Sequence, residues 1–143
     1  MRCRAIDANV ILRFLLDEPP EQAEHCQALF ARLQAGEEEV YLPEVALSDV
    51  VWTLQSFYRW PRERIARFAH DVISLRGTRM ARKSLVRDAL HLYVEHRIDF
   101  SDALIAAEML HAGYAEIYSY DRDFDRVAEV ERVEPQAHRS TLR

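Results

Sequence analysis

Apolar residues recur every three to four positions through most of this chain, which is the pattern of helices that bury one face. The pattern is clear in EQAEHCQALFARLQAG (21–36), where Pro19 and Pro20 mark the start and Gly36 suits a C-terminal cap. Helices are also predicted in NVILRFLL (9–16), EVALSDVVWTLQSFY (44–58), PRERIARFAHDVISLRG (61–77), SLVRDALHLYVEHR (84–97) and RIDFSDALIAAEML (97–110).

Short extended segments separate these helices. Strands are predicted at 2–6, 39–43 and 116–120, with a weak extended piece at 78–82 and a last strand near 130–135. Strands that alternate with helices favour an α/β sandwich with a mainly parallel sheet covered on both faces. The 143 residues are enough for one domain, which we expect to span 1–143.

Acidic residues stand where ligands bind in such a sheet, beyond the carboxyl ends of the strands. Asp7 follows the first strand, and Asp121 follows EIYSY. Asp102 lies in the first turn of its helix, with Ser101 as the expected N-cap. Ser and Asp are also ordinary helix starters, so this segment alone has a purely structural interpretation. Asp49 lies off the apolar stripe of its helix, either on a solvated surface or in the wall of a cleft.

Four acids in one cleft point to a divalent cation. Asp7, Asp49, Asp102 and Asp121 would repel one another without a counter-charge. Mg²⁺ and Mn²⁺ prefer oxygen ligands and are usually held by a few carboxylates together with the phosphate of a substrate. Such a site can activate water for in-line attack on a phosphodiester, which makes Mg²⁺ or Mn²⁺ the expected cofactor.

The amino-acid composition argues against some other classes of function. With 19 Lys and Arg against 24 Asp and Glu, the formal net charge of −5 argues against a protein that binds nucleic acid through its overall field. A local basic segment, RGTRMARKSLVR (76–87), contains Arg79, Arg82 and Lys83, which could contact RNA phosphates or simply form a solvated face. Arg13 could face the cleft or lie on a helix surface.

No apolar run approaches a membrane span, and MRCRAIDANV lacks the apolar region of a signal peptide. We therefore expect a soluble, cytoplasmic protein without a membrane partner. Trp52, Phe57, Tyr58 and Trp60 are interpreted mainly as core residues, with Trp60 the least clearly buried. Alternatively, these four aromatic residues form a hydrophobic surface for a partner helix or a second subunit.

Four segments, AIDANVILRFLL, LPEVALSDVVWTL, DFSDALIAA and IYSYDRDFDRV, resemble in order and spacing the acidic motifs of PIN-domain ribonucleases, in particular the VapC-like toxins. The resemblance covers about residues 5–133. It assigns Asp7, Asp102 and Asp121 as metal-binding catalytic acids, with Asn9 and Ser119 as polar companions and Asp99 as a further acid. Asp123 is a supporting residue, which the DRDFD pattern itself suggests could orient a water.

The second motif departs from the family pattern. A glutamate is usual where this chain has Asp49, which we take as its functional counterpart in preference to Glu44 at the predicted helix start. Aspartate keeps the charge but is one methylene shorter. This difference leaves open a second reading, a catalytically impaired PIN-like module that keeps its binding partner.

The resemblance implies a central parallel sheet of four or five strands and a Mg²⁺- or Mn²⁺-dependent endoribonuclease acting on an RNA such as tRNA or rRNA. It also implies homodimers and neutralisation by a small antitoxin protein, in assemblies that can be larger than the dimer. A phosphotransfer domain of the response-regulator kind also gathers aspartates at a sheet edge, but an acidic pair at the first strand is absent and the chain has only Lys83.

Overall fold

The computed structural model describes residues 3–137, and these form an α/β domain in which five strands alternate with helices. The strands are β1 (Arg4–Ala5), β2 (Val40–Tyr41), β3 (Thr78–Arg79), β4 (Glu116–Tyr118) and β5 (Glu131–Val133). The helices are α1 (Ala8–Leu16), α2 (Pro20–Ala35), α3 (Glu44–Ser56), α4 (Arg62–Ser74), α5 (Lys83–Glu95) and α6 (Phe100–His111), followed by a 3-10 helix (Arg122–Arg126). The α/β fold predicted from the sequence is confirmed.

All pairings between these strands are parallel, but they form two sheets. One sheet has the order β1-β2-β3, and β4 pairs with β5 in a second, two-stranded sheet. The expected single sheet of four or five strands is therefore divided, since the ladders are only two or three residues long. Arg2, where the first strand was predicted to begin, lies outside the described residues.

Helix boundaries follow local chemistry. Pro20 occupies the first turn of α2, where its missing N–H is harmless, and Gly36 ends that helix in the left-handed conformation with φ of 76°. Asp7 caps α1, its Oδ1 accepting a hydrogen bond from the Val10 N–H at 3.2 Å. The first acid of the sequence pattern therefore also starts a helix.

The core is one hydrophobic cluster drawn from every helix, and it includes Leu42 and Ile98 from the loops. Gly77 allows α2 to approach the start of β3, because a Cβ there would lie 2.1 Å from the Glu38 carbonyl oxygen and 2.9 Å from Leu33. The Gly77 N–H donates to the Leu33 carbonyl, and its carbonyl accepts from Val40. Any side chain at this position would separate α2 from the sheet.

Arg62 anchors the loop that leads into α6. Its Nη1 donates to the carbonyls of Tyr93 at 3.0 Å and Ile98 at 2.6 Å, and its guanidinium lies 4.5 Å from the centre of the Tyr93 ring. The Tyr93 hydroxyl in turn donates to Gln55 of α3. The start of α6 is thereby fixed against α3, α4 and α5.

The prediction that the aromatic residues near the end of α3 are core is wrong for three of the four. Trp52, Phe57 and Tyr58 are exposed, whereas Trp60 packs on Phe68 and lies under Arg64. The interior next to α3 is already filled by aliphatic side chains on its other face. Within residues 3–137, no helix combines the length and apolar character needed to cross a bilayer.

Candidate active site

Three carboxylates converge where β4 ends and α6 begins. Asp102 lies in the first turn of α6, Asp121 follows β4 after Ser119 and Tyr120, and Asp123 lies in the 3-10 helix. One ligand oxygen of each lies within 4.8 Å of the others, a spacing compatible with one shared cation. We call these three residues the acidic group.

The backbone around Asp121 is fixed by short hydrogen bonds. The Asp121 N–H donates to Ser119 Oγ at 2.9 Å, and Asp121 Oδ1 accepts from the Asp123 N–H at 2.9 Å. These two bonds form a tight turn that brings both carboxylates to the same side. The buried ring of Phe124 holds the turn against the core.

Partial burial and neighbouring negative charges raise the pKa of Asp102. Its pKa rises from the ordinary 3.8 to about 6, first because partial burial disfavours the ionised form and then because of the charge of Asp121. A hydrogen bond with the Asp121 carboxylate and the charges of Asp99 and Asp123 act in the same direction. Ionising all three carboxylates at once is therefore unfavourable unless a cation balances their charge.

Arg126 is the cation that the fold places against this group. Its Nη2 lies 3.6 Å from Asp123 Oδ1, and its Nη1 donates to the Arg97 carbonyl at 3.0 Å. Arg97 has a positive φ of 55° in the loop before α6. Arg126 thus ties the 3-10 helix to that loop and orients Asp123.

The start of α6 differs from the sequence expectation. Its N-cap is Asp99, and Ser101 lies inside the helix and not at the cap. Phe100 is the first residue of the helix and is buried, with its ring centre 6.0 Å from that of Tyr93. The Asp99 side chain makes no capping hydrogen bond and raises the pKa of Asp102, which places its charge near the acidic group.

Asp7 lies at the start of α1, and Asn9 lies in its first turn. Neither belongs to the three-carboxylate group, and one oxygen of Asp7 is engaged in capping α1. Asn9 and Arg13 line a groove of about 840 Å³ between α1 and the end of α3, which Phe57 and Tyr58 also border. Arg13 Nε is buried without a hydrogen-bond partner among the described residues.

Asp49 is exposed on α3, on the same outer face as Val45 and Trp52. It lies outside the acidic group. Glu44, the alternative acid, accepts two hydrogen bonds from Arg82 at 2.9 Å each. Asp49 is therefore the carboxylate of this segment that remains available, since no ion pair within residues 3–137 engages it.

The family model of the PIN domain matches residues 5–130. The chain belongs to the PIN domain family. It is also 27% identical over 124 residues to a VapC ribonuclease of Aquifex aeolicus (strain VF5), which covers 87% of this chain and 91% of that protein. It is therefore a VapC-like member of the PIN family, and the acidic group lies in its third and fourth motif segments.

In this PIN domain the predicted basic residues are largely paired. Arg79 binds Glu39 at 2.6 Å, and Arg82 bridges Glu44 and Glu108. The pKa of the Lys83 amine is lowered, first by burial and then by nearby Arg87 and Arg79. By contrast Arg122, between two acids of the site, is exposed and forms no salt bridge within residues 3–137.

Two arginines that support the site were not predicted from the sequence. Arg126 braces Asp123, and Arg132 donates to the Ser119 carbonyl at 3.1 Å while pairing with Asp125 and Glu134. Arg132 is the more buried of the two. The alternation of charge in DRDFDR and in ERVE was the available signal, since Arg126 pairs with Asp123 three residues before it and Arg132 pairs with Glu134 two residues after it.

Proposed function

We propose that this PIN domain is a Mg²⁺- or Mn²⁺-dependent endoribonuclease that acts as the toxin of a toxin–antitoxin module. The observation that carries the proposal is the acidic group, Asp102, Asp121 and Asp123, with ligand oxygens within 4.8 Å in a chain of this family. The VapC ribonuclease from Aquifex aeolicus supports the toxin assignment, since the alignment covers most of both proteins.

The residues fit a hard divalent cation. All three donors are carboxylate oxygens, the ligands that Mg²⁺ and Mn²⁺ prefer, and the pKa of Asp102 is raised first by partial burial and then by repulsion from Asp121, which a cation would relieve. Asp102, Asp121 and Asp123 would hold the ion, and Asp7, Asp49 and Asp99 would complete the acidic surroundings. A bound ion would supply Lewis-acid activation of water and stabilisation of the leaving oxygen.

Hydrogen bonds fix the positions of the carboxylates in the site. The turn formed by Ser119 and Asp123 fixes the Asp121 carboxylate, which also shares a hydrogen bond with Asp102. Val10 fixes Asp7 in the same way. Because the chain prearranges these oxygens, little side-chain freedom is lost when a ligand binds.

Two apolar features support protein partners. Val45, Trp52, Phe57 and Tyr58 are exposed on and just after α3. The groove beside α1 is lined in part by Phe57 and Tyr58, so it continues this exposed apolar surface. A homodimer and a cognate antitoxin are the partners we propose for these surfaces, with the cytoplasm as the compartment.

Cleavage of total cellular RNA by the purified chain tests the proposal. Wild-type protein should cleave with Mn²⁺ or Mg²⁺ and not with EDTA, and both Asp7→Asn and Asp102→Asn should lose cleavage by a factor of a hundred or more. Asp71→Asn is the matched control, an exposed carboxylate on α4 that changes the net charge equally. Undiminished cleavage by Asp102→Asn would remove the basis of the proposal.

A second candidate is a catalytically impaired PIN-like module that binds its partner but does not turn over RNA. The observation that favours it is Asp49, which is one methylene shorter than the family's usual glutamate and lies outside the acidic group. Vigorous metal-dependent cleavage by the wild-type protein would end this alternative.

A further inference from the structure

Arg132 joins three segments around the acidic group through one guanidinium. Its Nη1 donates to the Ser119 carbonyl at 3.1 Å and to Glu134 Oε2 at 2.8 Å. Its Nε donates to Asp125 Oδ1 at 3.1 Å. These acceptors lie just after β4, just after β5 and within the 3-10 helix. The Arg132 side chain is only 12% exposed, so water has little access to these hydrogen bonds.

Ser119 connects Arg132 to the acidic group. Its N–H donates to the Val133 carbonyl at 3.0 Å and its carbonyl accepts from Arg132, so both backbone hydrogen-bonding groups of Ser119 are held by β5. Its hydroxyl accepts from the Asp121 N–H at 2.9 Å, and Asp121 Oδ1 accepts from the Asp123 N–H at 2.9 Å. A continuous series of hydrogen bonds therefore runs from Arg132 to two of the three carboxylates.

Arg132 also engages the third acid of the DRDFD segment. Asp125 follows Asp123 by two residues in the 3-10 helix, yet it lies outside the acidic group. Its carboxylate is instead bonded to the guanidinium of Arg132. This ion pair leaves Asp121 and Asp123 as the carboxylates of the segment that meet Asp102.

We infer that Arg132 is a positioning residue that sets the affinity of the acidic group for Mg²⁺ or Mn²⁺. It acts through the Ser119 carbonyl and Asp125, because these two contacts fix the turn that carries the ligand oxygens. The inference rests on the proposed function, since it concerns the cation of that site. Partners that orient metal ligands typically contribute about 10- to 100-fold to metal affinity or activity.

Removing Arg132 would have opposite effects on Mn²⁺ binding through its charge and through its position. A positive charge near the site repels a cation, so loss of the charge would by itself tighten Mn²⁺ binding. Loss of the hydrogen bonds would let the turn move, and the ion would then have to order the carboxylates as it binds. Positioning therefore predicts weaker Mn²⁺ binding, whereas charge alone predicts tighter binding.

The test compares Arg132→Gln and Arg132→Lys with the wild-type chain. Glutamine removes the charge, whereas lysine keeps the charge but cannot present the planar set of donors that reaches three acceptors. Arg32→Gln is the matched control, because Arg32 on α2 pairs with Glu38 and its replacement removes the same charge. Glu134→Gln is a second control, because it removes one ion pair of Arg132 and leaves the other two contacts.

The Kd of Mn²⁺ is measured on the metal-free protein by electron paramagnetic resonance, which detects the free ion. Circular dichroism at the same temperature establishes that each variant is folded. The initial rate of cleavage of total cellular RNA is then measured across a range of Mn²⁺ concentrations. The Kd does not depend on cleavage, so the role of Arg132 and the proposed function are tested separately.

Arg132→Gln should raise the Kd of Mn²⁺ by about tenfold or more, and Arg132→Lys by about fivefold or more. Both controls should stay within about twofold of wild type. Cleavage by Arg132→Gln should be slow at Mn²⁺ concentrations near the wild-type Kd and should recover to within about threefold of wild type at saturating Mn²⁺. A general loss of structure would instead lower the rate at every Mn²⁺ concentration.

A Kd for Arg132→Gln that equals or falls below that of wild type would overturn the inference, and so would an unchanged Kd in Arg132→Lys. If Arg132→Gln does not fold at the assay temperature, Arg132→Lys decides the question. Wild-type protein that binds no Mn²⁺ would also overturn the inference. If the wild type binds Mn²⁺ but cleaves no RNA, the proposed function fails, and the comparison of Kd values still decides the role of Arg132.

Discussion

Asp102→Asn should stabilise the metal-free protein while abolishing its activity. In wild-type protein the pKa of Asp102 is about 6 in the folded state and 3.8 in the unfolded chain. Below about pH 4 both states are protonated and the carboxyl costs nothing. As the pH rises through about 6, the folded state must ionise a crowded carboxylate, so the stability associated with the protonated group is lost.

The size of the stabilisation follows from the shift in the pKa of Asp102. A displacement of about two pKa units corresponds to at most about 3 kcal/mol, and solvent screening at this partly exposed site reduces it to roughly 1 kcal/mol. Asparagine keeps the shape and removes the charge. We therefore expect the melting temperature of Asp102→Asn to exceed that of wild type by about 3 °C at about pH 8 in EDTA, with a smaller gain at about pH 4.5.

The assay is thermal denaturation followed by circular dichroism, with Asp71→Asn as the control for a loss of one exposed negative charge. Adding Mn²⁺ should reverse the order, because an ion at ten times its Kd stabilises wild type by about 1.4 kcal/mol and the variant by less. A melting temperature of Asp102→Asn in EDTA at about pH 8 that equals or falls below wild type would refute the account of charge crowding.

Two further variants probe how the site is supported. Arg62→Met should lower the free energy of unfolding by roughly 2–3 kcal/mol in urea denaturation, because the carbonyls of Tyr93 and Ile98 lose their charged donor; Arg67→Met, on an exposed position of the same helix, should change it little. Asp49→Glu should increase Mn²⁺-dependent cleavage severalfold if the shorter side chain limits the site, and reduced cleavage would show that aspartate is the fitted residue.

Much of the fold could be predicted because the helices favoured by the local apolar spacing are the helices that pack in the folded protein. Helical spacing placed α2 to α5 within a few residues of their observed bounds, and Gly36 ends α2 as its conformational freedom suggests. The predicted strands are longer than the observed ones: Leu42 follows the last residue of β2 and is buried in the core, although its N–H still donates to the Arg79 carbonyl at 2.8 Å. The division into two sheets depends on which strands pair, and no local pattern contains that information.

The start of α6 shows where local chemistry is insufficient. Asp99 and Ser101 are both good capping residues, and the sequence does not distinguish them; in the fold, α6 begins at Phe100, whose buried ring packs against Tyr93. The exposed Trp52 is a similar case. Its helix has one buried stripe, and an aromatic residue on the opposite side stays in solvent however apolar it is.

Asp123 is the clearest contribution of tertiary structure to the candidate site. From the sequence it was a supporting residue, one of several acids in DRDFD. The structure places its oxygen within 4.8 Å of those of Asp102 and Asp121, because Phe124 is buried and Arg126 reaches the loop before α6. Both anchoring contacts join segments that are distant in sequence, so spacing alone could not distinguish Asp123 from Asp125.

The pairing of β4 with β5 bears on the timing of synthesis. Ser119, which begins the turn that holds Asp121, is hydrogen-bonded to Val133 and Arg132. The ribosome adds these two residues about a dozen positions after Asp121. A nascent chain that stops short of β5 would already contain every acid of the site but would lack the strand that orders them. We therefore expect the acidic group to become ordered only after residues 131–133 have been added to the chain.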